Sequence, residues 1–406
     1  MPEIDAGRIA RDIEAIAAFS EESADVGFSR PTFSQVWAKA RDYVIDEAAK
    51  IGCESRIDAA GNVHIRPKSV GWDKKIWLSG SHIDSVPTGG KYDGVVGIVV
   101  PLEVLRVHPN AELELIIFAE EEGTTFNLGM LGSRTWVGSL NAGDLANLIN
   151  KHGQTALEAG KPHGVDPPRM AIERLEASQY RGLIEVHVEQ GVSMWNSKTA
   201  VAVVTAINGR KQFWCTFTGA ANHAGSTKMT DRSDALVAAA EAITELEKLG
   251  RRLHGQIDHT VITVGRVEVA PNALNVIPGE VRFSIDLRAR TDKMLDDGEA
   301  AIRSVLANIS AARKIPHAIE RTETLPALPM DKGVCETLRA AANTLGVKLP
   351  DVASGALHDA AILAPVIPTA MLFVASEGGI SHNPKEFSRI EDIALAAGIL
   401  AAAVTA

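Results

Sequence analysis

Residues 76–94 have the sequence IWLSGSHIDSVPTGGKYDG, in which a short apolar run leads into a polar, glycine-rich turn. The run at 76–78 is typical of a buried strand, and His82 and Asp84 follow where that strand would end. His82 can offer a neutral imidazole nitrogen to a cation, while the Asp84 carboxylate can accept the other ring proton and fix the tautomer. Asp93 has two oxygens and can bridge two metals. Taken alone, such a motif is more often a polar turn between a strand and a helix.

Three more apolar runs, at 113–119, 183–188 and 366–374, indicate further core strands. They alternate with segments of helical period, which predicts an α/β fold with a mainly parallel sheet. Polar residues stand at or just beyond the ends of these strands, where open α/β sheets usually bind ligands. The sequence therefore predicts one crevice to which several strand ends contribute.

The second strand is followed by three consecutive acids and a glycine, residues 120–123. Adjacent residues at a strand end point in different directions, so Glu122 can bind a metal while Glu121 faces the attacking water as general base. A solvated acidic loop is the alternative for such a run, and Glu120 has no further predicted role.

Two histidines complete the candidate ligands: His187 in EVHVEQG and His382 in GGISHNP. Each motif has a plain alternative, a satisfied core histidine for His187 and a loop or helix start for His382. Three imidazoles and two carboxylates nevertheless make a suitable ligand set for a pair of divalent cations. This set predicts a hydrolase.

The middle of the chain has a different pattern. We predict strands at 211–218, 260–267, 280–288 and 315–321 and helices at 231–249 and 292–312, in the order β-α-β-β-α-β of a ferredoxin-like domain. Such a module is self-contained. The predicted organisation is therefore a discontinuous catalytic domain, residues 1–208 and 325–406, with an inserted domain at 209–324.

Composition narrows the class of protein. The 406 residues are 46% hydrophobic and 23% charged, as in ordinary globular proteins. The net charge of −10 argues against a nucleic-acid or anionic-membrane partner. The three cysteines show neither CxxC spacing nor close pairing, and no signal peptide or membrane span is apparent at either terminus. A cytoplasmic enzyme is the expectation.

Eight strings in the order HIDSVPTGGKYDG, EEG, GMLGS, HVEQG, NHAG, NALNVIPGEVRFSIDLR, GALHDA and GGISHNPKE resemble the hydantoinase/carbamoylase branch of the M20 metallopeptidase-like amidohydrolases. The resemblance covers about residues 8–400 and implies a zinc-exopeptidase-like catalytic domain. It implies two zinc ions, with manganese, cobalt or nickel as possible replacements. Asp93 would bridge the ions, His82 and His187 would complete one set of ligands, and Glu122 and His382 the other.

The resemblance also implies roles for other residues. Glu121 would take a proton from water and pass it to the departing nitrogen, and the peptide bond after Asp93 would be cis. His358 and Asp359 would be supporting residues.

The inserted domain would be the lid and dimerisation domain of a homodimer. There His223 would donate to the developing oxyanion, often across the dimer interface, and Asn275 and Arg288 would hold the carboxylate of a small-molecule substrate. Gln190 and the backbone of Gly355 are weaker candidates for the ureido or amide end.

One position departs from many relatives, which follow Glu-Glu-Gly with a small residue, an arginine and a phenylalanine. This chain has Thr124, Thr125 and Phe126 there, so Thr125 replaces the arginine and puts the usual substrate in doubt. The expected reaction is hydrolysis of an N-carbamoyl-L-amino acid to amino acid, ammonia and carbon dioxide. Allantoate and N-acyl-L-amino acids are alternative substrates, and a catalytically inactive amino-acid-binding dimer is the alternative from another class.

Overall fold

The computed structural model describes residues 3–256 and 260–405. The chain divides into two compact units, Met1–Thr205 with Met330–Ala406, and Ala206–Pro329. These bounds lie within about five residues of the domain limits predicted from the sequence, 208/209 and 324/325.

The strands, in chain order, are β1 Cys53–Ile57, β2 Val63–Pro67, β3 Ile76–His82, β4 Leu113–Phe118, β5 Tyr180–Val188, β6 Val201–Ile207, β7 Gly209–Thr218, β8 Asn222–His223, β9 Val261–Thr263, β10 Val267–Ala270, β11 Val276–Ile277, β12 Glu280–Ala289, β13 His317–Leu325, β14 Leu328–Pro329, β15 Asp351–Ser354 and β16 Thr369–Val374. The α-helices are α1 Ala6–Ala17, α2 Gln35–Lys50, α3 Val96–Val107, α4 Leu131–Trp136, α5 Ala142–Leu145, α6 Ala156–Gly160, α7 Ser193–Asn196, α8 Ala235–Gln256, α9 Asp292–Arg313, α10 Lys332–Thr344, α11 Asp359–Leu363 and α12 Ile390–Thr405.

The first unit is built on a mixed sheet in which β1, β2, β4, β3, β5, β16 and β6 are neighbours in that order. The four strands β4, β3, β5 and β16 run parallel, while the pairs towards both edges are antiparallel. Every residue of β4 and β16 is buried, as expected for parallel strands covered on both faces. The prediction of an α/β fold with a mainly parallel central sheet is confirmed.

Helix α3 lies against the middle of this sheet, and all but one of its residues are buried. It begins three residues after Asp93 and can approach the strands closely because residue 97 is glycine. A Cβ at Gly97 would lie 2.5 Å from the Cβ of Ser81 and 2.5 Å from the carbonyl oxygen of Val186. The helix that follows the turn at residues 83–95 therefore packs closely against β3 and β5.

The second unit is an antiparallel sheet with the strand order β10-β12-β7-β13, and β9 also pairs with β12. Helices α8 and α9 pack on it over a core that includes Phe213, Phe217 and Phe283. The order β-α-β-β-α-β is therefore present, with the strand order of a ferredoxin-like fold.

Several details differ from the predicted elements of this unit. Helix α8 ends at Gln256 rather than at 249, and β13 runs from His317 to Leu325 rather than from 315 to 321. The single strand predicted at 260–267 is two short strands, β9 and β10, separated at Gly265, a residue that weakens strand continuity. Helix α8 begins at Ala235 rather than at 231, because the Asp234 carboxylate accepts hydrogen bonds from the N–H groups of Leu236 and Val237 and so caps the helix. Among the described residues, no helix combines the length and the apolar character needed to span a bilayer.

Candidate metal centre

His82 is the last residue of β3, and its ring lies in a buried position with a defined orientation. Its Nδ1 is 2.9 Å from the backbone carbonyl oxygen of Asp84, so Nδ1 carries the proton and Nε2 is left to bind a cation. The sequence predicted that the Asp84 carboxylate would accept this proton. That prediction is wrong, because one carboxylate oxygen accepts the N–H of Glu122 at 3.1 Å and the other is 3.8 Å from Nδ1.

His187 lies near the end of β5 and repeats the same arrangement. Its Nδ1 is 2.9 Å from the carbonyl oxygen of Val188, and its Nε2 is 3.1 Å from Asp93 Oδ1. His82 Nε2 is 3.6 Å from the same oxygen. Both Nε2 atoms are buried without a hydrogen-bond partner in the described part of the chain. Two buried imidazole nitrogens without a hydrogen-bond partner, both beside one carboxylate oxygen, fit a divalent cation.

The other Asp93 oxygen faces a second group of donors. His382 Nε2 lies 3.4 Å from Asp93 Oδ2 and 3.6 Å from Glu122 Oε2. The second Glu122 oxygen is buried and unpaired among the described atoms. The structure therefore brings all five predicted ligands together, as His82–Asp93–His187 and as Asp93–Glu122–His382. Within each group the ligand atoms lie within 4.8 Å of one another.

Glu121 belongs to neither group but lies beside the first one, with its Oε2 3.7 Å from His82 Nε2. Burial raises the pKa of the Glu121 carboxyl well above its usual value, and the carboxylates of Glu122, Asp359 and Asp93 act in the same direction. A raised pKa makes the Glu121 carboxylate a stronger base than an ordinary glutamate, which suits a general base.

The surrounding charges favour a cation between these groups. Burial together with the neighbouring Asp93 raises the pKa of Glu122 to about 7. Burial alone would lower the pKa of His82, but the carboxylates of Glu121, Asp93 and Asp84 raise it well above 6.5. The cluster is thus short of positive charge, which divalent cations would supply.

Three further side chains contact Asp93 or the residues around it. Gln190 Nε2 donates to Asp93 Oδ2 at 2.7 Å, so this predicted substrate-binding residue lies directly at the centre. Ser381 donates to the Asp93 and Glu386 carboxylates, and Glu386 accepts the backbone N–H groups of Tyr92 and Asp93. Neither Ser381 nor Glu386 was predicted from the sequence. The sequence signal that could have found them is the string GGISHNPKE, which contains both residues as well as His382.

Glu185 and His358 lie close to His187, and together with it they form a third potential donor group. Both carboxylate oxygens of Glu185 already accept hydrogen bonds, from Ser81 and from the N–H of Ala360, each at 2.8 Å. His358 is bound to Ser354 at 2.9 Å, and burial, with the nearby His187, lowers its pKa well below 6.5. This group therefore supports His187 and has few free donors for a metal.

The remaining predicted residues lie apart along the chain. Gly355 is an exposed residue just after β15 in the first unit. In the second unit, His223 Nδ1 accepts the N–H groups of Gly225 and Ser226 at 3.0 and 3.1 Å, which leaves the proton on Nε2 as a donor. Asn275 lies next to this segment, since its carbonyl oxygen accepts the N–H of Ala224 at 2.9 Å.

Arg288, on β12, donates through Nε to Asp286 at 2.9 Å. The peptide bond between Asp93 and Gly94, predicted to be cis, is trans. Among the described residues the cis bond is Ala270–Pro271.

Known proteins share both the sequence and the fold. The model of Peptidase family M20/M25/M40 matches residues 78–406. An N-carbamoyl-L-amino acid amidohydrolase from Geobacillus stearothermophilus is 34% identical over 92% of each chain. An allantoate amidohydrolase from Bacillus subtilis is 32% identical over 93% of this chain and 91% of its own. The crystal structure of a hydantoinase/carbamoylase family amidase from Burkholderia multivorans has a TM-score of 0.89, with 31% identity over 99% of this chain and 98% of that one.

These likenesses extend over almost the whole length of each chain and agree with the resemblance found in the sequence motifs. Members of this family are metal-dependent, in keeping with the two donor groups around Asp93. The chain belongs to the M20/M25/M40 peptidase family, and within it to the hydantoinase/carbamoylase branch.

Proposed function

We propose that this protein is a binuclear metal-dependent amidohydrolase that cleaves a linear C–N bond in an N-carbamoyl-L-amino acid and releases the amino acid, ammonia and carbon dioxide. The observation that carries the proposal is the pair of donor groups that share Asp93, with the largely buried Glu121 beside them. Hydrolysis of a non-peptide C–N bond is the activity named for the amidohydrolase relatives.

Two divalent cations fit the donors, and zinc is the expected metal. Bound there, they would supply Lewis-acid polarisation of the substrate carbonyl and a lowered pKa for water. The proposed ligands are the five donors described above: His82, His187, Glu122, His382 and the shared Asp93.

Glu121 is the general base and then the general acid in this proposal. Its carboxylate accepts a proton from the attacking water and later delivers that proton to the nitrogen that leaves. Burial raises the pKa of Glu121, so its carboxylate is a stronger base toward the attacking water than an ordinary glutamate. Asp84 contributes indirectly, because its backbone carbonyl fixes the tautomer of His82.

The substrate would be recognised largely by the second unit. The Arg288 guanidinium and the Asn275 amide suit a carboxylate, and the Nε2 proton of His223 suits an oxyanion. A positioned donor of this kind is typically worth about 3 kcal/mol of barrier. Gln190 and the backbone at Gly355 are the proposed partners of the ureido end. We further propose that the second unit closes over the substrate to exclude water and forms the interface of a cytoplasmic homodimer.

Allantoate is the second candidate substrate, because two of the relatives carry that activity in their names. The departure from the family motif at Thr125, which puts the usual substrate in doubt, keeps this alternative open. N-acyl-L-amino acids are the third. A catalytically inactive amino-acid-binding dimer would need a broken ligand set, whereas all five donors and Glu121 are present.

A substrate panel tests the proposal. Ammonia release is measured from several N-carbamoyl-L-amino acids, from β-ureidopropionate and from allantoate, and amine release from N-acyl-L-amino acids, with enzyme loaded with zinc or manganese. We expect the highest kcat/KM with a carbamoyl amino acid and complete loss of activity with a chelator. A higher kcat/KM with allantoate or an acyl amino acid would overturn the substrate assignment, and chelator-resistant hydrolysis would overturn the metal mechanism.

A further inference from the structure

Glu386 is a buried carboxylate that the proposed reaction does not use. Only 4% of its surface is exposed. Its Oε2 accepts the backbone N–H groups of Tyr92 and Asp93 at 2.9 and 3.0 Å, and its Oε1 accepts the Ser381 hydroxyl at 3.1 Å. A carboxylate in a costly buried position with several hydrogen bonds to one turn holds that turn in place.

The same contacts reach the Asp93 side chain. The Ser381 hydroxyl is also 3.1 Å from Asp93 Oδ2, so Glu386 and Ser381 together hold Asp93 by its backbone and by its carboxylate. The approach depends on Gly90, because a Cβ at that position would lie 2.2 Å from Glu386 Oε2. The Glu386 carboxylate thus links the loop that contains His382 to the turn that contains Asp93, although the two are far apart in the sequence.

The two donor groups depend to different degrees on these contacts of Glu386. His82 and His187 lie on β3 and β5, where the sheet and backbone carbonyls fix their rings. His382 lies in a loop, half exposed, with a left-handed backbone φ of 53°. It is four residues from Glu386, whose own N–H donates to the Asn383 carbonyl at 2.9 Å. The position of His382 relative to Asp93 is therefore set mainly through the loop that Glu386 anchors.

We infer that Glu386 is a positioning residue, which fixes the His382 loop against Asp93 and so sets the affinity of the Asp93–Glu122–His382 group for its cation. The inference rests on the proposed function, since it concerns the second of the two proposed metal ions. Residues that orient metal ligands typically change metal affinity by about 10- to 100-fold when they are removed.

The test is a zinc titration of the metal-free, full-length protein, with both dissociation constants fitted and the melting temperature measured alongside. We expect Glu386→Ala to weaken the second ion at least tenfold and to leave the first within about threefold of wild type. Ser381→Ala should show a smaller loss at the same ion, and it keeps the inference testable if Glu386→Ala does not fold. The matched control is Lys385→Ala, an exposed neighbour in the same loop, which should bind both ions as wild type does.

Glu386→Gln separates hydrogen bonding from simple loss of the side chain. Its amide oxygen can accept both N–H groups and its NH2 can donate to Ser381, so both affinities should stay within a few-fold of wild type. The inference is overturned if Glu386→Ala binds both ions normally, if it weakens both equally while the melting temperature falls, or if Glu386→Gln is as weak as the alanine variant. In each of these cases a wild type that binds two ions leaves the proposed function intact. A wild type that binds neither zinc nor manganese would overturn the proposed function and this inference with it.

Discussion

Glu121 is the side chain on which the proposed chemistry depends most directly. It lies beside His82 yet belongs to neither donor group, so it can be changed without removing a proposed ligand. We expect Glu121→Gln to lower kcat by about 10²- to 10⁴-fold, because the amide cannot accept a proton from water. Metal content, measured by elemental analysis, should stay at the wild-type value. The comparison variant Glu122→Gln should instead lose metal, and a Glu121→Gln protein with wild-type kcat would remove the general base from the mechanism.

His64 gives a second prediction at this scale, away from the metal centre. Both ring nitrogens face carboxylates, with Nδ1 2.6 Å from Glu114 Oε1 and Nε2 3.2 Å from Asp58 Oδ2. Arg66 and Tyr180 also contact Glu114. Burial alone would lower the pKa of His64, but the two carboxylates outweigh it and raise that pKa to about 9. The folded protein therefore retains a proton on His64 well above pH 6.5.

Because the folded pKa of His64 lies above the unfolded one, its contribution to stability is complete below about pH 6.5 and is lost as the pH rises through about 9. The free energy of unfolding should fall by up to about 3 kcal/mol across this range. Urea unfolding at several pH values, in wild type and in His64→Gln, isolates the effect, since the variant cannot titrate there. Equal slopes of stability against pH in the two proteins would refute the assignment.

The proposed ligand residues could be found from the sequence because each lies at a strand end or in the segment that follows a strand, in a short, chemically distinctive string. What fixes them could not be found, as His82 shows. Spacing suggested the Asp84 carboxylate as the partner of its ring, whereas the backbone carbonyl of the same residue takes that place. Backbone carbonyls are present at every position, so a sequence pattern does not distinguish the one that a side chain will contact. The contacts of Glu386 were missed for the same reason, since two of them are to backbone N–H groups 293 and 294 residues away.

At the scale of elements, the pairing of β3 with β4 places His82 at the site. Gly80 lies opposite Ile116 in this pair, and a Cβ at Gly80 would be 1.9 Å from the Ile116 carbonyl oxygen. We expect Gly80→Ala to lower the free energy of unfolding by about 2–4 kcal/mol, since backbone must move to relieve the overlap. Metal binding should weaken as well, because His82 is two residues away.

Gly265→Ala is the matched control for this change. In the described part of the chain, no atom outside the two neighbouring residues lies within 4 Å of a Cβ at Gly265, so the stability of this variant should stay within about 0.5 kcal/mol of wild type. Urea unfolding measures both variants. A Gly80→Ala protein as stable as the control would mean that β3 and β4 are not paired this closely.

Element types were predictable wherever the apolar pattern was long, as in β4, β5, β12 and α9. Boundaries were not, and the reasons are local. The start of α8 is set by one side-chain cap at Asp234, and the break between β9 and β10 falls at one glycine. Such features involve one or two residues, whereas hydrophobic periodicity is averaged over many.

For the whole molecule, the division into two units separates the proposed chemistry into two parts. The proposed metal ligands and Glu121 all lie in the first unit, while His223, Asn275 and Arg288 lie in the second. The order of elements was enough to predict an inserted module, because the β-α-β-β-α-β pattern starts and ends within one stretch of chain. The role of this module as a lid and dimer interface is a proposal. A hydrophobic pattern predicts elements, but it does not show whether a surface residue contacts its own chain or a second copy.

Mixing two inactive variants tests whether His223 serves the partner's metal centre in the proposed dimer. His223→Ala and Glu121→Gln should each be severely impaired alone. If His223 acts across a twofold interface, each mixed dimer has one site with both residues intact, so dissociating and reassociating an equal mixture should restore about a quarter of wild-type activity. The mixed dimer is verified by size-exclusion chromatography and by mass spectrometry of tagged chains. If mixed dimers form without recovery of activity, His223 acts on the site of its own chain or not at all. If the protein proves to be a fully active monomer, the proposed interface is wrong.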